Sequence, residues 1–142
     1  MSRVLPDILI EPVVRMALAE DMGRTGDVTA QACIPEDAVF KAVFSARQAG
    51  VMAGGAVVRL AIHALDSSAT VSIRVKDGEA FDKGAVLIEA SANARALLTA
   101  ERTALNLLAR ICGIATMTRT YVQAVSGTKA KIADTRKTMP GL

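Results

Sequence analysis

Residues Asn93 to Val125 read NARALLTAERTALNLLARICGIATMTRTYVQAV, and the apolar positions recur at helical spacing throughout. The stretch predicts one long helix. Wound at about 3.6 residues per turn, Leu98, Leu105, Leu108, Cys112 and Ala115 fall on one broad apolar face. Arg102, Asn106 and Arg110 fall on the other, near Ala109, Gly113, Thr116 and Thr120. A strip that mixes arginine with small residues suits a face approached by another element or subunit. It equally suits an ordinary solvated face. Gly113 costs a helix interior up to about 1 kcal/mol, so a break or kink is expected there. Glu101 lands on the apolar side and needs a partner if buried.

Working back toward the N-terminus, Val86 to Ala90 reads as a strand, and Phe81-Asp82-Lys83-Gly84 as a turn. Thr70 to Lys76 is a strand with Val71, Ile73 and Val75 inward, and Asp77-Gly78 is a hairpin signal. A helix is expected over Ala56 to Leu65 after Gly54-Gly55. Val51-Met52-Ala53 reads as a short strand returning on Phe40 to Arg47. In the latter, Phe40, Ala42, Phe44 and Ala46 alternate with Lys41, Val43, Ser45 and Arg47, the pattern of a half-buried strand. Pro12 to Glu20 reads as a short helix with Pro12 near its first position. Glu20 to Thr29 is a loop with two glycines, in which Asp27 or Thr29 caps a later turn.

The chain has 142 residues, one domain's worth with room for part of a second. Half of it is apolar (51%) but only 3% is aromatic, so the core must be built from Val, Ile, Leu and Ala. The apolar runs carry charges and are too short to span a membrane, and no signal peptide is evident, so a cytoplasmic protein is expected. A net charge of +3 admits anionic ligands. Scattered basic residues with few aromatics argue against nucleic acid. Cys33 and Cys112 lack metal-ligand spacing and read as reduced thiols. His63, the only histidine, lies in an apolar helical run and reads as structural.

Lys129 to Leu142 reads KAKIADTRKTMPGL. A strand-like run, Ala130 to Ala133, delivers Asp134, Thr135, Arg136, Lys137 and Thr138 to a loop, and Pro140-Gly141 stops regular structure. Charged and hydroxyl residues at a strand end are a common way to build an anion site.

Leu98-Thr-Ala-Glu-Arg-Thr-Ala-Leu-Asn106, Gly113-Ile-Ala-Thr116 and Asp134-Thr-Arg-Lys-Thr138 with Pro140-Gly141-Leu142 occur in that order. Glu20-Asp21-x-Gly23-x-x-Gly26-Asp27-x-Thr29 precedes them. Together they resemble the quinolinate phosphoribosyltransferases, the carboxylating nicotinate-nucleotide pyrophosphorylases. Cys112 and Met139 stand where that family commonly has serine and threonine.

The resemblance implies an α+β fold: a hammerhead-like α/β sandwich with an antiparallel sheet and a long helix over residues 1–112. Residues 113–142 would begin an irregular α/β barrel, with Lys131 to Asp134 as its first strand. The rest of that barrel has no counterpart here, so the expectation is a truncated, inactive N-terminal portion. The implied reaction joins quinolinate to phosphoribosyl pyrophosphate and yields nicotinate mononucleotide, pyrophosphate and carbon dioxide, a step of NAD biosynthesis. Quinolinate carries two adjacent carboxylates, and guanidinium forks match carboxylates in two-bond geometry. The resemblance assigns Arg102 and Arg136 to that role, with Arg102 reaching across a homodimer interface into the partner's site. Lys137 would be a point charge for carboxylate or phosphate, and Thr135 a donor in the same loop. Mg²⁺ would accompany the pyrophosphate, its ligands lying elsewhere, and no catalytic nucleophile is evident.

Three other readings compete. A ModD-like pyrophosphorylase shares the fold and similar motifs. A carrier module is suggested by Lys76 to Leu87, which resembles the hairpin of biotinyl and lipoyl domains with Lys83 as the modified residue. A non-catalytic dimerisation domain would use the helix face alone.

Overall fold

The computed structural model describes residues 5–135 and Lys137. Four helices and five strands follow in the order α1 (Asp7–Met22), α2 (Val28–Cys33), β1 (Val39–Ser45), β2 (Gly50–Val51), α3 (Gly55–His63), β3 (Thr70–Ile73), β4 (Ala80–Phe81), β5 (Val86–Asn93) and α4 (Ala94–Ala124). This is the expected α+β class, with an antiparallel sheet and a long helix. Three strands form the sheet in the order β1-β5-β3, and β2 and β4 pair as a separate ribbon.

The sheet takes its register from the alternation in β1. Phe40, Ala42 and Phe44 oppose Ala92, Ala90 and Ile88 of β5, and Val71 and Ile73 of β3 oppose Ala90 and Ile88 from the other side. Helices α1, α3 and α4 pack together over this face. Val14 and Leu18 of α1, Val58 and Ile62 of α3, and Leu108 of α4 close the core with Phe44 and Ile88. Ala61, Ala100 and Ala104 are wholly buried. With so few aromatics, alanine lets helix and sheet approach closely enough to exclude water.

Several expectations require correction. Pro12 lies inside α1, not at its start. It cannot donate to the carbonyl of Ile8, but Ile8 is exposed, so water can reach that group. The turn before Pro12 is held by Asp7, whose two carboxylate oxygens accept hydrogen bonds from Arg59 Nη2 on α3 at 2.8 and 3.0 Å. The segment at Val51 does not return on β1; it pairs with β4. Asp77-Gly78 does form a tight turn, with Glu79 N donating to Lys76 O at 3.0 Å and Gly78 at φ 90°. That turn carries the chain from one sheet to the other and makes no hairpin. β3 stops at Ile73 because Arg74 N and Val75 N both donate to Leu87 O, a bulge that breaks the ladder.

α4 matches its sequence reading closely in extent and runs through Gly113 without the expected break. Its buried seam is Leu97, Ala100, Ala104, Leu108 and Cys112. Leu98 and Leu105, assigned to the apolar face, are 38% and 41% exposed, and Glu101 is exposed and needs no buried partner. The pairs Leu97-Leu98 and Leu107-Leu108 leave the face ambiguous by about 100° in sequence. Alanine, which contributes little to a hydrophobic count, decided it by permitting close packing.

The start of α4 is a junction. Asn93 caps it, its Oδ1 accepting from Arg95 N at 3.0 Å and Ala96 N at 3.2 Å. Asn93 N in turn donates to Asp66 Oδ2 at 2.7 Å. The Ser68 hydroxyl, then the Asn93 and Ser68 amides, hold the Asp66 carboxyl below its ordinary range. A folded-state value below the unfolded one of about 3.9 means the contribution is complete above that pH. It is lost as pH falls through the lower folded value. Asp66→Ala should cost about 1 kcal/mol near neutrality. Its stability should also fall less steeply below about pH 4 than the wild type's; urea titrations at a series of pH values measure both.

The two cysteines are free, Cys33 exposed and Cys112 buried. Burial pushes the Cys112 thiol up, opposed by the Ala53 amide, which donates to its Sγ at 3.4 Å. Since the thiolate is the nucleophile, iodoacetamide should modify Cys33 alone in the native protein and both residues after unfolding. Intact-mass measurement reads the difference directly. His63 Nε2 bonds Ala69 O at 3.1 Å, in keeping with its structural reading.

Candidate functional site

Arg102 stands on the exposed face of α4, its side chain 76% accessible. Leu98 and Leu105, both part-exposed, flank it on that face, while Ile114, also exposed, lies on the opposite flank of the helix. Asn106, Ala109, Arg110, Gly113 and Thr120 are exposed on the same side, so the strip of arginine and small residues read from the sequence is an exposed face of α4.

Arg102 Nη1 donates to Asp21 Oδ1 at 3.1 Å. Asp21 lies in the last turn of α1, beside Glu20 and two residues ahead of the φ 56° turn at Gly23. Carboxylates there face the negative end of the helix dipole, an unfavourable place unless a cation is near. Arg102 supplies one. The following loop is fastened to α4 as well. Asp27 caps α2 by accepting from Ala30 N at 2.9 Å, and its Oδ2 accepts from Thr99 Oγ1 at 3.1 Å. Thr99 and Arg102 are three residues apart on α4, so both acids of the loop bind one face of one helix.

The sequence reading missed Asp21 as a partner of Arg102. The available signal was the pair of acids at the C-terminal end of a helix, where local propensity disfavours them. The capping role of Asp27 was anticipated.

After α4 the chain turns through Gly127, at φ 82°, and continues without a strand over 129–135. The strand expected at Ala130 to Ala133 is thus not formed among the described residues. A strand needs a ladder partner, and Ile132 there is exposed. Thr135 and Lys137 are exposed, and Thr135 Oγ1 accepts from Lys137 N at 3.3 Å. Arg136, Thr138 and Met139 to Leu142 lie outside the described residues. Arg102 is therefore paired with Asp21 and shows no bond to Thr135 or Lys137 within one chain.

Neither of two hollows in the surface is lined by Arg102, Thr135 or Lys137. The larger, about 450 Å³, lies between the α1–α2 loop and the start of α4 and is lined by Asp27, Gln31, Asn93, Arg95 and Thr99 among others. Its polar groups serve the fold: Arg95 Nε donates to Ile34 O at 2.8 Å and Asn93 Nδ2 to Glu36 O at 2.6 Å. The smaller, about 300 Å³, lies between α1 and α4, with Glu20 and Asp21 on its wall. That lining has the wrong sign for a dicarboxylate. Among the described residues no cluster of three His, Cys, Asp or Glu side chains is placed to hold a metal ion. Nor is any helix among them long and apolar enough to cross a membrane.

Comparison with known proteins bears on the remaining ambiguity. The family model described as quinolinate phosphoribosyl transferase, N-terminal domain, matches residues 27–112, and the model for the C-terminal domain matches residues 114–142. The nicotinate-nucleotide pyrophosphorylase [carboxylating] of Mycobacterium leprae is 46% identical over 134 residues, which is 91% of this chain and 46% of that protein. The chloroplastic enzyme of the same name from Arabidopsis thaliana is 42% identical over 137 residues, covering 96% of this chain and 39% of its own length. Among solved structures, NadC from Streptococcus pyogenes superposes with a TM-score of 0.92 at 35% identity, covering 98% of this chain and 49% of its own. The nicotinate-nucleotide pyrophosphorylase of Francisella tularensis gives 0.89 at 36% identity, with 97% and 48% covered. The chain thus spans about half the length, or less, of the relatives it matches. The N-terminal match includes Lys76 to Leu87, so the segment that resembled a carrier hairpin is part of the family's N-terminal domain.

Proposed function

Because the chain belongs to the quinolinate phosphoribosyltransferase family, we propose that it serves phosphoribosyl transfer from phosphoribosyl pyrophosphate to quinolinate, with loss of carbon dioxide, and that Arg102 is its quinolinate-binding fork. The observation that carries the reading is the state of Arg102: a mostly exposed guanidinium, held by one carboxylate through Nη1 alone. Its Nε and Nη2 hydrogens remain for a second carboxylate in the parallel two-bond arrangement. Arg136 and Lys137, with Thr135 beside them, supply the opposing positive charge.

In the reaction the pyridine nitrogen attacks ribose C1 and pyrophosphate leaves with the bonding pair. The ring nitrogen is then cationic. When the adjacent carboxylate departs as carbon dioxide, the ring accepts the electron pair left on carbon, and a proton replaces the carboxylate. The residues named here bind and orient; none is a nucleophile, and the work is positioning and charge complementarity. Mg²⁺ belongs with the pyrophosphate in this reading, and no step is assigned to it.

We read the exposed face of α4 around Arg102, with Leu98 and Leu105 beside it, as the face that a second copy covers in a homodimer, Arg102 serving the partner's site. The division at 112/113 falls within the continuous α4, so it separates regions without a hinge. A cytoplasmic location accords with this chemistry. Calorimetric titration tests the core of the reading. Quinolinate should bind, phthalate, which has the same two carboxylates, should compete, and nicotinate, with one, should bind far more weakly. Equal binding of nicotinate, or no binding of quinolinate, refutes it.

A further inference from the structure

We propose that Asp21 is a positioning residue for quinolinate binding: its carboxylate anchors Arg102 by Nη1 and so presents the Nε and Nη2 edge to the ligand. The inference rests on the proposed role of Arg102 and goes beyond it. Three observations carry it. The bond from Arg102 Nη1 to Asp21 Oδ1 is 3.1 Å and is the only one the guanidinium makes among the described residues. Asp21 is the better-fixed partner, its side chain 26% accessible against 76% for Arg102. Asp21 also sits in the last turn of α1, where the helix dipole opposes a carboxylate, so local helix stability does not account for it.

The neighbouring contacts make Asp21 a rigid anchor. Leu18, one turn earlier on α1, is buried in the core, and the loop after Asp21 is tied to α4 through Asp27 and Thr99. An arginine side chain has many rotamers, and ordering them on ligand binding costs affinity. An anchor that takes one hydrogen of the guanidinium removes part of that cost beforehand. It does so without occupying the edge that forks a carboxylate. A carboxylate near an anion site also lowers the local potential, so the proposal requires that preorganisation outweigh this repulsion.

A double-mutant cycle on quinolinate affinity decides the matter, with Asp21→Ala, Arg102→Ala and the double variant measured by calorimetry. The dissociation constant should rise about fivefold in Asp21→Ala, the upper range for an exposed ion pair. It should not rise further when Asp21→Ala is added to Arg102→Ala. Asp21→Glu, which keeps the charge, should recover part of the loss. NMR of isotope-labelled arginine reads the anchoring itself, while the Asp21→Glu recovery of affinity separates positioning from a clip between helices. Slowed rotation of the Arg102 guanidinium should be present in the wild type and lost in Asp21→Ala. Should Asp21→Ala not fold, Asp21→Asn, of the same shape, takes its place in the cycle. Unchanged or tighter binding by the Asp21 variant overturns the proposal alone, as does an equal loss in the Arg102→Ala background. Failure of the wild type to bind quinolinate overturns the reading of Arg102 and this proposal with it.

Discussion

Arg102→Ala should weaken quinolinate binding about a hundredfold, the value of a two-bond charge-assisted contact removed without replacement. The thermal midpoint should hardly move. Arg102 is mostly exposed, and its ion pair with Asp21 is of the kind that adds little to stability. Arg102→Lys keeps the charge but loses the planar fork, so it should fall between the two. Calorimetry with quinolinate, beside a melting curve for each variant, separates binding from folding. Unchanged affinity in Arg102→Ala would favour a dimerisation face without a ligand role.

Ile88→Ala should give the largest loss of stability, about 3 kcal/mol. Ile88 is wholly buried in β5, the central strand, with Phe44 opposite on β1 and Ile73 opposite on β3. The three side chains share the face covered by helices. The loss combines the transfer of the removed carbons with a cavity that neighbours fixed in two ladders cannot close. Urea unfolding should show a lower midpoint with an unchanged slope. A loss below about 1 kcal/mol would mean that the helices over the sheet relax into the space.

These two residues mark what was legible in the chain. Phe40, Ala42 and Phe44 alternate, and that alone marked β1 and the face that Phe44 buries, though Phe40 at the strand's start stays exposed. Residues 93–125 repeat at helical spacing, and that alone set α4 to within a residue at each end. Arg102 was singled out through its motif and the chemistry that a dicarboxylate demands. Asp21 was visible as an acid but not as the partner of an arginine 81 positions away. The turn at Asp77-Gly78 was legible, yet its destination was not, because turn chemistry sets a local angle and says nothing of which strand comes next.

By itself, then, the sequence determined the periods: which segments wind, which extend, where glycine turns the chain, and which ordered motifs mark the family. Periodicity and backbone conformation are local, so a single chain carries them openly. Only the tertiary structure decided which leucines of α4 are buried, that β2 leaves β1 for β4, and that Asp21 holds Arg102. Each of those depends on what lies opposite in space. Alanines that score as weak hydrophobes set the close approach of α4, and a carboxylate at the disfavoured end of α1 is offset only once α4 brings a guanidinium to it.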